Sequence, residues 1–248
     1  MQGRAVERAR LVERLGRLAA VRLPLVAEEL HQLVAARLRV GAAHLDELAA
    51  EGAVEEQVAG QVGLAVDALE QGGVIAYPTD TVYGLGCDLL NKHALDRLYS
   101  IKGMDRSHPL AFVCPDLSDI AKYAIVDNQV YRVLRHFLPG PYTFILQATR
   151  EVPKLVQTKR KTIGIRVPDS PTIQALVREL GRPVISSTAA RPGEEPMVDP
   201  HEIDVAFKGL AMVLDGGAGG LVPTSVVDLT SLPPEIVREG AGSVEEFR

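Results

Sequence analysis

The sequence predicts an α/β (α+β) domain, a twisted open mixed sheet flanked by helices, preceded by an N-terminal helical extension. Three observations carry this. Residues 1–55 are rich in Ala, Leu, Arg and Glu, and apolar side chains return there every three or four residues (Leu11, Leu15, Leu18; Val26, Leu30, Val34, Leu38), the period of amphipathic helices. From about residue 56 helix-period stretches alternate with short β-branched runs set between Gly, Pro, Asn and Asp, the pattern of a sheet with helical connections. One such run, Thr162-Ile163-Gly164-Ile165-Arg166-Val167, is apolar only on alternate residues. It therefore offers one face to a core and another, Thr162-Gly164-Arg166, to something polar.

Within 1–55, Pro24 and Gly41 divide the pattern into two or three helices, expected to pack on the main domain or on a second copy. The sheet domain, 56–248, opens with a helix through Val62, Val66 and Leu69 that stops at Gly72-Gly73. Strand VIAY (74–77) runs into the polar corner Pro78-Thr79-Asp80-Thr81. Asn91 caps a helix with Ala94, Leu95, Leu98 and Ile101 on one face, closed by Lys102-Gly103. A strand at LAFVC (110–114) follows, then a helix started by Asp116 or Ser118 and another started by Asp127 that closes before Pro139-Gly140. Strands YTFILQA (142–148) and IGIRV (163–167) come next, and a helix between Ser170-Pro171 and Gly181. Strand PVIS (183–186), a short helix at Asp199-Pro200, and strands AMVLD (211–215), SVVDL (225–229) and EIVRE (235–239) complete the domain.

Composition narrows the function classes. The net charge of −5 proposes no nucleic-acid partner for the molecule as a whole, so any basic surface is local. No apolar stretch approaches the roughly 20 residues of a membrane span, and the reading is a cytoplasmic protein with no membrane contact. The two cysteines, Cys87 and Cys114, have no CxxC or Cys/His spacing and are expected as buried thiols; the six histidines offer no metal spacing.

Hydroxyl groups recur where strands meet loops: Thr79-Asp80-Thr81, Ser186-Ser187-Thr188 and Thr224-Ser225. Each alone is also what a turn or cap requires. Together with a forked guanidinium at Arg166 they suit a small amino acid or a phosphate, because Arg holds a carboxylate through two parallel hydrogen bonds. Gly164 lets a ligand approach the backbone between Thr162 and Arg166. Lys102, Arg106 and His108, and separately Lys159-Arg160-Lys161, are positioned to frame a triphosphate or a nucleic-acid backbone. GGAGG (216–220) lacks the Lys-Ser or Lys-Thr of a P-loop and is expected as a flexible loop.

GGVIAYPTDTVYGLGCD, a helix ending in IKG, then HPL, PGPYTF, TIGIRVP, a Ser/Thr strand, DGG and IVREG resemble, in this order, the YrdC-like family of threonylcarbamoyl-adenylate synthases. The resemblance spans about 56–248, and KRKTIGIRVP, AIVDNQVYR and STAARPG are most similar to its YciO-like branch. It implies a YrdC-like open sheet with a large concave basic cavity that holds L-threonine, bicarbonate and MgATP, with ATP and Mg²⁺ as substrate and no tightly bound cofactor. The implied products are threonylcarbamoyl-adenylate and pyrophosphate, and a threonylcarbamoyl-transferase complex then modifies adenosine 37 of tRNA. Carried over by matching position, Thr81, Arg166, Ser186 and Thr224 would hold threonine, and Lys102, Thr162, Thr188 and Arg238 the nucleotide, joined by Arg106 and His108. Lys102 would be the charge-stabilising catalytic group.

The sequence departs from that pattern at Met104, where an arginine is expected, at Val113 in place of a histidine, and at Thr188-Ala189-Ala190 in place of Ser-Ala-Asn. These changes keep the threonine side and weaken the ATP side. The alternative expectation is a non-catalytic protein binding nucleotide, tRNA or double-stranded RNA, and in either case a homodimer through the N-terminal helices is a further expectation.

Overall fold

The computed structural model describes residues 60–248 except 107, 155, 157, 158 and 232. The helices expected over 1–55, and a homodimer built through them, lie outside the described residues. Helix α1 is described over 60–70. It is followed by β1 (Val74–Tyr77), β2 (Gly84–Asp88), α2 (Lys92–Lys102), β3 (Ala111–Val113), α3 (Ile120–Tyr123), α4 (Asn128–Phe137), β4 (Tyr142–Gln147) and β5 (Thr162–Arg166). Then come α5 (Pro171–Leu180), β6 (Val184–Thr188), α6 (Pro200–Ala206), β7 (Met212–Val213), β8 (Ser225–Asp228), β9 (Glu235–Arg238) and a 3₁₀ turn at Glu245–Phe247.

The helix ends form for the reasons legible in the sequence. Asn91 accepts from the Ala94 N–H, Asp127 from Gln129 and Val130, and Asp199 from His201 and Glu202, each satisfying donors that the first turn leaves free. Gly103 and Gly181 close α2 and α5 with φ of 66° and 71°, conformations that cost glycine nothing. Helix α3 is shorter than the stretch after Asp116 promises. The Asp116 carboxylate accepts from the Ser118 N–H and hydroxyl, which makes a turn there and delays the helix to Ile120.

One mixed sheet of nine strands has the order β7-β1-β2-β6-β3-β5-β4-β8-β9. Pairs β1–β7, β3–β5 and β4–β8 are parallel and the others antiparallel. Every strand except β2 overlaps a run expected from the sequence, with β5 starting one residue before IGIRV and β6 running two residues beyond PVIS. Strand β2, GLGCD, escaped because two glycines weaken strand propensity. Its glycines serve the ring of Tyr77: an added Cβ at Gly84 would lie 2.9 Å from Tyr77 Cζ, and one at Gly86 would lie 2.8 Å from Tyr77 Cε1 and 2.5 Å from Val184 Cγ1.

Strand alternation sorts the core onto two faces. On one, Val74, Leu85, Phe112, Phe144, Ile163, Ile165 and Ile185 form a continuous core with Leu95 and Leu98 of α2, Leu134 of α4 and Ile203 of α6. On the other, Ile75, Tyr77, Val113 and Val184 pack under Val62, Val66 and Leu69 of α1 and Ile173, Leu176 and Leu180 of α5. That second layer of helices covers only part of its face, since Ala111, Thr143, Ile145 and Gly164 stay partly exposed. An ion pair borders the covered part: Arg182 Nε and Nη2 donate to the two oxygens of the buried Asp88 at 2.8 and 2.7 Å. Both cysteines are buried and free, and no helix among the described residues is long and apolar enough to cross a membrane.

Candidate functional site

The uncovered half of the second sheet face has a floor of small side chains. Cross-strand pairing aligns Ser186 with Ala111 and Ala111 with Gly164, so three strands contribute one low row, and Gly86, the next in line beyond Ser186, lies beneath the Tyr77 ring. Arg166 stands one step along β5 from this row, on the same face, where the floor meets the helix-covered core. Its Nη2 reaches the corner after β1, lying 2.9 Å from Thr79 Oγ1, 2.6 Å from Asp80 Oδ1 and 2.7 Å from Thr81 Oγ1. The Thr79 hydroxyl donates to the Val82 carbonyl at 2.6 Å, which leaves its oxygen free to accept from Arg166. Arg166 is 8% exposed, and its Nε is buried with no hydrogen-bond partner. A guanidinium held on one nitrogen and unsatisfied on another has hydrogen-bonding capacity to spare.

Thr224 and Arg238 border the same hollow. Thr224 Oγ1 lies 2.9 Å from Thr143 Oγ1, and Arg238 Nη2 donates to the Thr224 carbonyl at 2.8 Å. Burial, and then the nearby positive charge of Arg166, push the Arg238 guanidinium below the usual arginine value. Arg238, expected on the nucleotide side, thus sits at the hydroxyl expected to hold threonine, close enough to Arg166 for mutual repulsion. Two neighbouring arginines, of which only Arg166 is paired with a carboxylate (Asp80) among the described residues, favour an incoming anion.

The glycine-rich segment closes this rim and corrects the expectation of a flexible loop. The Gly216 N–H donates to the Tyr83 hydroxyl, which donates to the Gly217 carbonyl at 2.8 Å; the Gly219 N–H donates to Val198. A Cβ on Gly220 would sit 2.1 Å from the Thr81 carbonyl oxygen. The glycines are there for close backbone approach, and the contact ties the loop leading to Thr224 against the corner that holds Arg166.

Lys102 forms a second group. Its Nζ, at the C-terminus of α2, donates to Ser187 Oγ and, at 2.6 Å, to the carbonyl of Thr188 at the end of β6. Burial lowers this amine from 10.5 to about 8, and together with Lys102 pushes nearby His108 below its ordinary value. Lys102 therefore neighbours both the Thr188 carbonyl and His108. Thr162 shares the face of Gly164 and Arg166 at the far end of β5. Arg106 turns elsewhere, pairing with Asp96 of α2 at 2.7 Å with its side chain 60% exposed. Met104, where the resemblance expects an arginine, is buried in the larger core.

A pH effect follows from the Lys102 shift. Between pH 8 and 10.5 the unfolded chain keeps a proton on this lysine that the folded chain has released, so its contribution to stability rises with pH across that window. Buried Tyr77 and Cys87, both pushed up to about 12, act in the opposite sense at high pH. The measurement is therefore a difference. The melting temperature of the parent minus that of Lys102→Met is expected to increase from pH 8 to pH 10, and a pH-independent difference would contradict the shift.

Sequence reasoning did not pick out Thr143 or Tyr77 for the site, and it reached Thr79 and Ser187 only as members of hydroxyl-rich strand ends. Thr143 was findable, since it precedes Phe144, which pairs with Ile165, and alternation then turns it to the face of Arg166. A separate hollow of about 530 Å³ lies at the loops after β3 and β5, lined by Leu117, Tyr131, Val167 and Arg178 among others. It gathers none of the expected site residues.

A family model covering Sua5, YciO and YrdC proteins, described as "Telomere recombination", matches residues 67–240. The Escherichia coli (strain K12) protein named "Uncharacterized protein YciO" is 44% identical over 189 residues, covering 75% of this chain and 92% of its own length. The crystal structure of E. coli YciO matches with a TM-score of 0.73 over 76% of this chain and 93% of that one. The protein of Chromohalobacter salexigens named threonylcarbamoyl-AMP synthase is 32% identical, over 71% of this chain and 96% of its own length. P. abyssi Sua5 in complex with L-threonine matches at 28% identity and a TM-score of 0.70, over 75% of this chain and 55% of the longer relative. With a matched domain spanning most of the sheet, and a floor and arginine set in the strands that domain contributes, the chain belongs to the Sua5/YciO/YrdC family.

Proposed function

We propose that the hollow beside Arg166 binds L-threonine, and that the chain makes threonylcarbamoyl-adenylate and pyrophosphate from L-threonine, bicarbonate and MgATP. The observation that carries the reading is the Arg166 guanidinium, fixed by Thr79, Asp80 and Thr81 with its Nε unpartnered, beside a floor of Ser186, Ala111 and Gly164. Arg166 grips the amino-acid carboxylate, with Arg238 adding to the positive field. Thr81, Ser186 and Thr224 hold the remaining polar atoms. The small floor leaves room for the amine to meet bicarbonate.

The threonine nitrogen attacks the bicarbonate carbon, losing a proton as water departs, and a carbamate forms. A carbamate oxygen then attacks the α-phosphorus of ATP, and pyrophosphate leaves. No protein nucleophile is required, so positioning and charge stabilisation supply the catalysis. Lys102, beside Thr188 and His108, is the cation for the departing phosphates, and it fills that role best below pH 8, where it is protonated. In this reading the product serves tRNA modification in the cytoplasm, through a separate transferase.

A second reading is favoured by two observations. Met104 lies in the core and Arg106 pairs with Asp96, which leaves the phosphate side short of an arginine. The β4–β5 connection exposes Arg150, Lys154, Lys159, Arg160 and Lys161, a basic edge suited to a polyanion. On this reading the protein binds nucleotide or RNA without turnover. One assay separates the two. Purified protein with threonine, bicarbonate, ATP and Mg²⁺ is expected to release pyrophosphate, with release abolished when threonine or bicarbonate is omitted. Release no faster than the protein-free control would sink the synthase reading and leave the second.

A further inference from the structure

We propose that Tyr77 is a positioning residue that commits the Ser186 hydroxyl to donate to a ligand oxygen in the hollow. The inference rests on the reading of this hollow as a threonine site and adds to it the direction of one hydrogen bond. A serine hydroxyl has one proton and two lone pairs, and is therefore ambiguous as a recognition element until a neighbour uses one of them. The Tyr77 hydroxyl donates to Ser186 Oγ at 2.5 Å. Among the described residues Ser186 makes no other side-chain hydrogen bond, so its own proton is left to point elsewhere. Its cross-strand neighbours on the same face are Gly86 and Ala111, which carry no acceptor. The open hollow is what remains. There the proton serves a carboxylate, carbamate or carbonyl oxygen, and it repels an ammonium.

The surrounding sequence is built for this contact. Tyr77 is on β1 and Ser186 on β6, with β2 between them in the sheet. The ring reaches across only because β2 presents Gly84 and Gly86 beneath it, where any Cβ would lie within 3 Å of ring atoms. A phenylalanine would fill the same core volume; the hydroxyl is the part that packing does not require. Burial also pushes the phenol up to about 12, so Tyr77 keeps its proton and remains the donor throughout the working range.

The test is a double-mutant cycle read by calorimetric titration with L-threonine, using the parent, Tyr77→Phe, Ser186→Ala and the double variant. Each single change is expected to weaken binding about five- to tenfold, the size of one hydrogen bond, and the double variant to bind no more weakly than Ser186→Ala alone. A role in packing alone would lower the melting temperature of Tyr77→Phe without this coupling. Binding by Tyr77→Phe equal to that of the parent, or a loss in the double variant equal to the product of the single losses, overturns the inference and leaves the threonine reading standing. A parent that binds no threonine overturns both. Should Ser186→Ala fail to fold, Ser186→Gly, which also removes the hydroxyl, replaces it in the same cycle with the same expected coupling.

Discussion

Replacement of Arg166 by alanine is expected to weaken threonine binding by more than about 100-fold, because two charge-assisted hydrogen bonds, each worth roughly 1.5–3 kcal/mol, disappear together. The melting temperature should fall as well, because Arg166 is the cationic partner of the Asp80 carboxylate, whose side chain is 11% exposed, so affinities are compared at a temperature where every variant is folded. Arg166 touches the corner Thr79-Asp80-Thr81 and is absent from both apolar cores. Lysine at this position should not restore binding, since a point charge cannot satisfy the corner and a carboxylate through one planar fork. Titration calorimetry on Arg166→Ala and Arg166→Lys decides it: affinity within threefold of the parent in either variant would remove Arg166 from the site.

The largest stability effect is expected at Asp88, which lies in the same cross-strand row as Arg166 but three strands away. This carboxylate is 4% exposed, receives both Arg182 donors, and also accepts from the Leu90 N–H. Asp88→Ala removes all three hydrogen bonds and leaves a partly buried guanidinium without its partner, a change that costs about 3 kcal/mol when one member of a buried pair is lost. For a domain of this size that corresponds to a fall in melting temperature of roughly 6–12 °C. Threonine affinity should be unchanged within twofold, since the Asp88 carboxylate is bonded to Arg182 and the Leu90 N–H and to no residue of the hollow. Thermal melts of Asp88→Ala and of the Asp88→Ala/Arg182→Met double variant test this. The double variant should recover part of the loss, because replacing both charges removes the orphaned one. A fall under 2 °C in the single variant would mean that solvent already screens the pair.

The pair of variants separates two uses of arginine on one sheet face. Arg182 has a full carboxylate partner and holds β2 to the segment after α5. Arg166 shares its carboxylate with two hydroxyls on a single nitrogen and keeps a buried donor unmatched. Full satisfaction marks a structural pair, and an unmatched buried donor marks a place reserved for something else.

Local rules carried much of this molecule into view. Caps at Asn91, Asp127 and Asp199 and glycines at 103 and 181 place helix ends within a residue or two, because each acts over one turn of chain. Alternation in β5 separates Ile163 and Ile165 from Gly164 and Arg166 without knowledge of any neighbouring strand. The hydroxyl-rich strand ends were visible for the same reason.

Where two distant segments must meet, local rules had nothing to act on. The sequence by itself determined which residues face which side of their own strand, and that Arg166 could not belong to a core. Only the tertiary structure decided that Arg238 joins Thr224, that Met104 enters the apolar interior, and that GLGCD is a central strand whose glycines admit the Tyr77 ring. The physical reason is sheet order. Side-chain direction follows from backbone geometry two residues at a time, whereas the neighbour a side chain meets depends on which strands pair, and here β2 pairs with β6 and β3 with β5 across tens of residues of intervening chain.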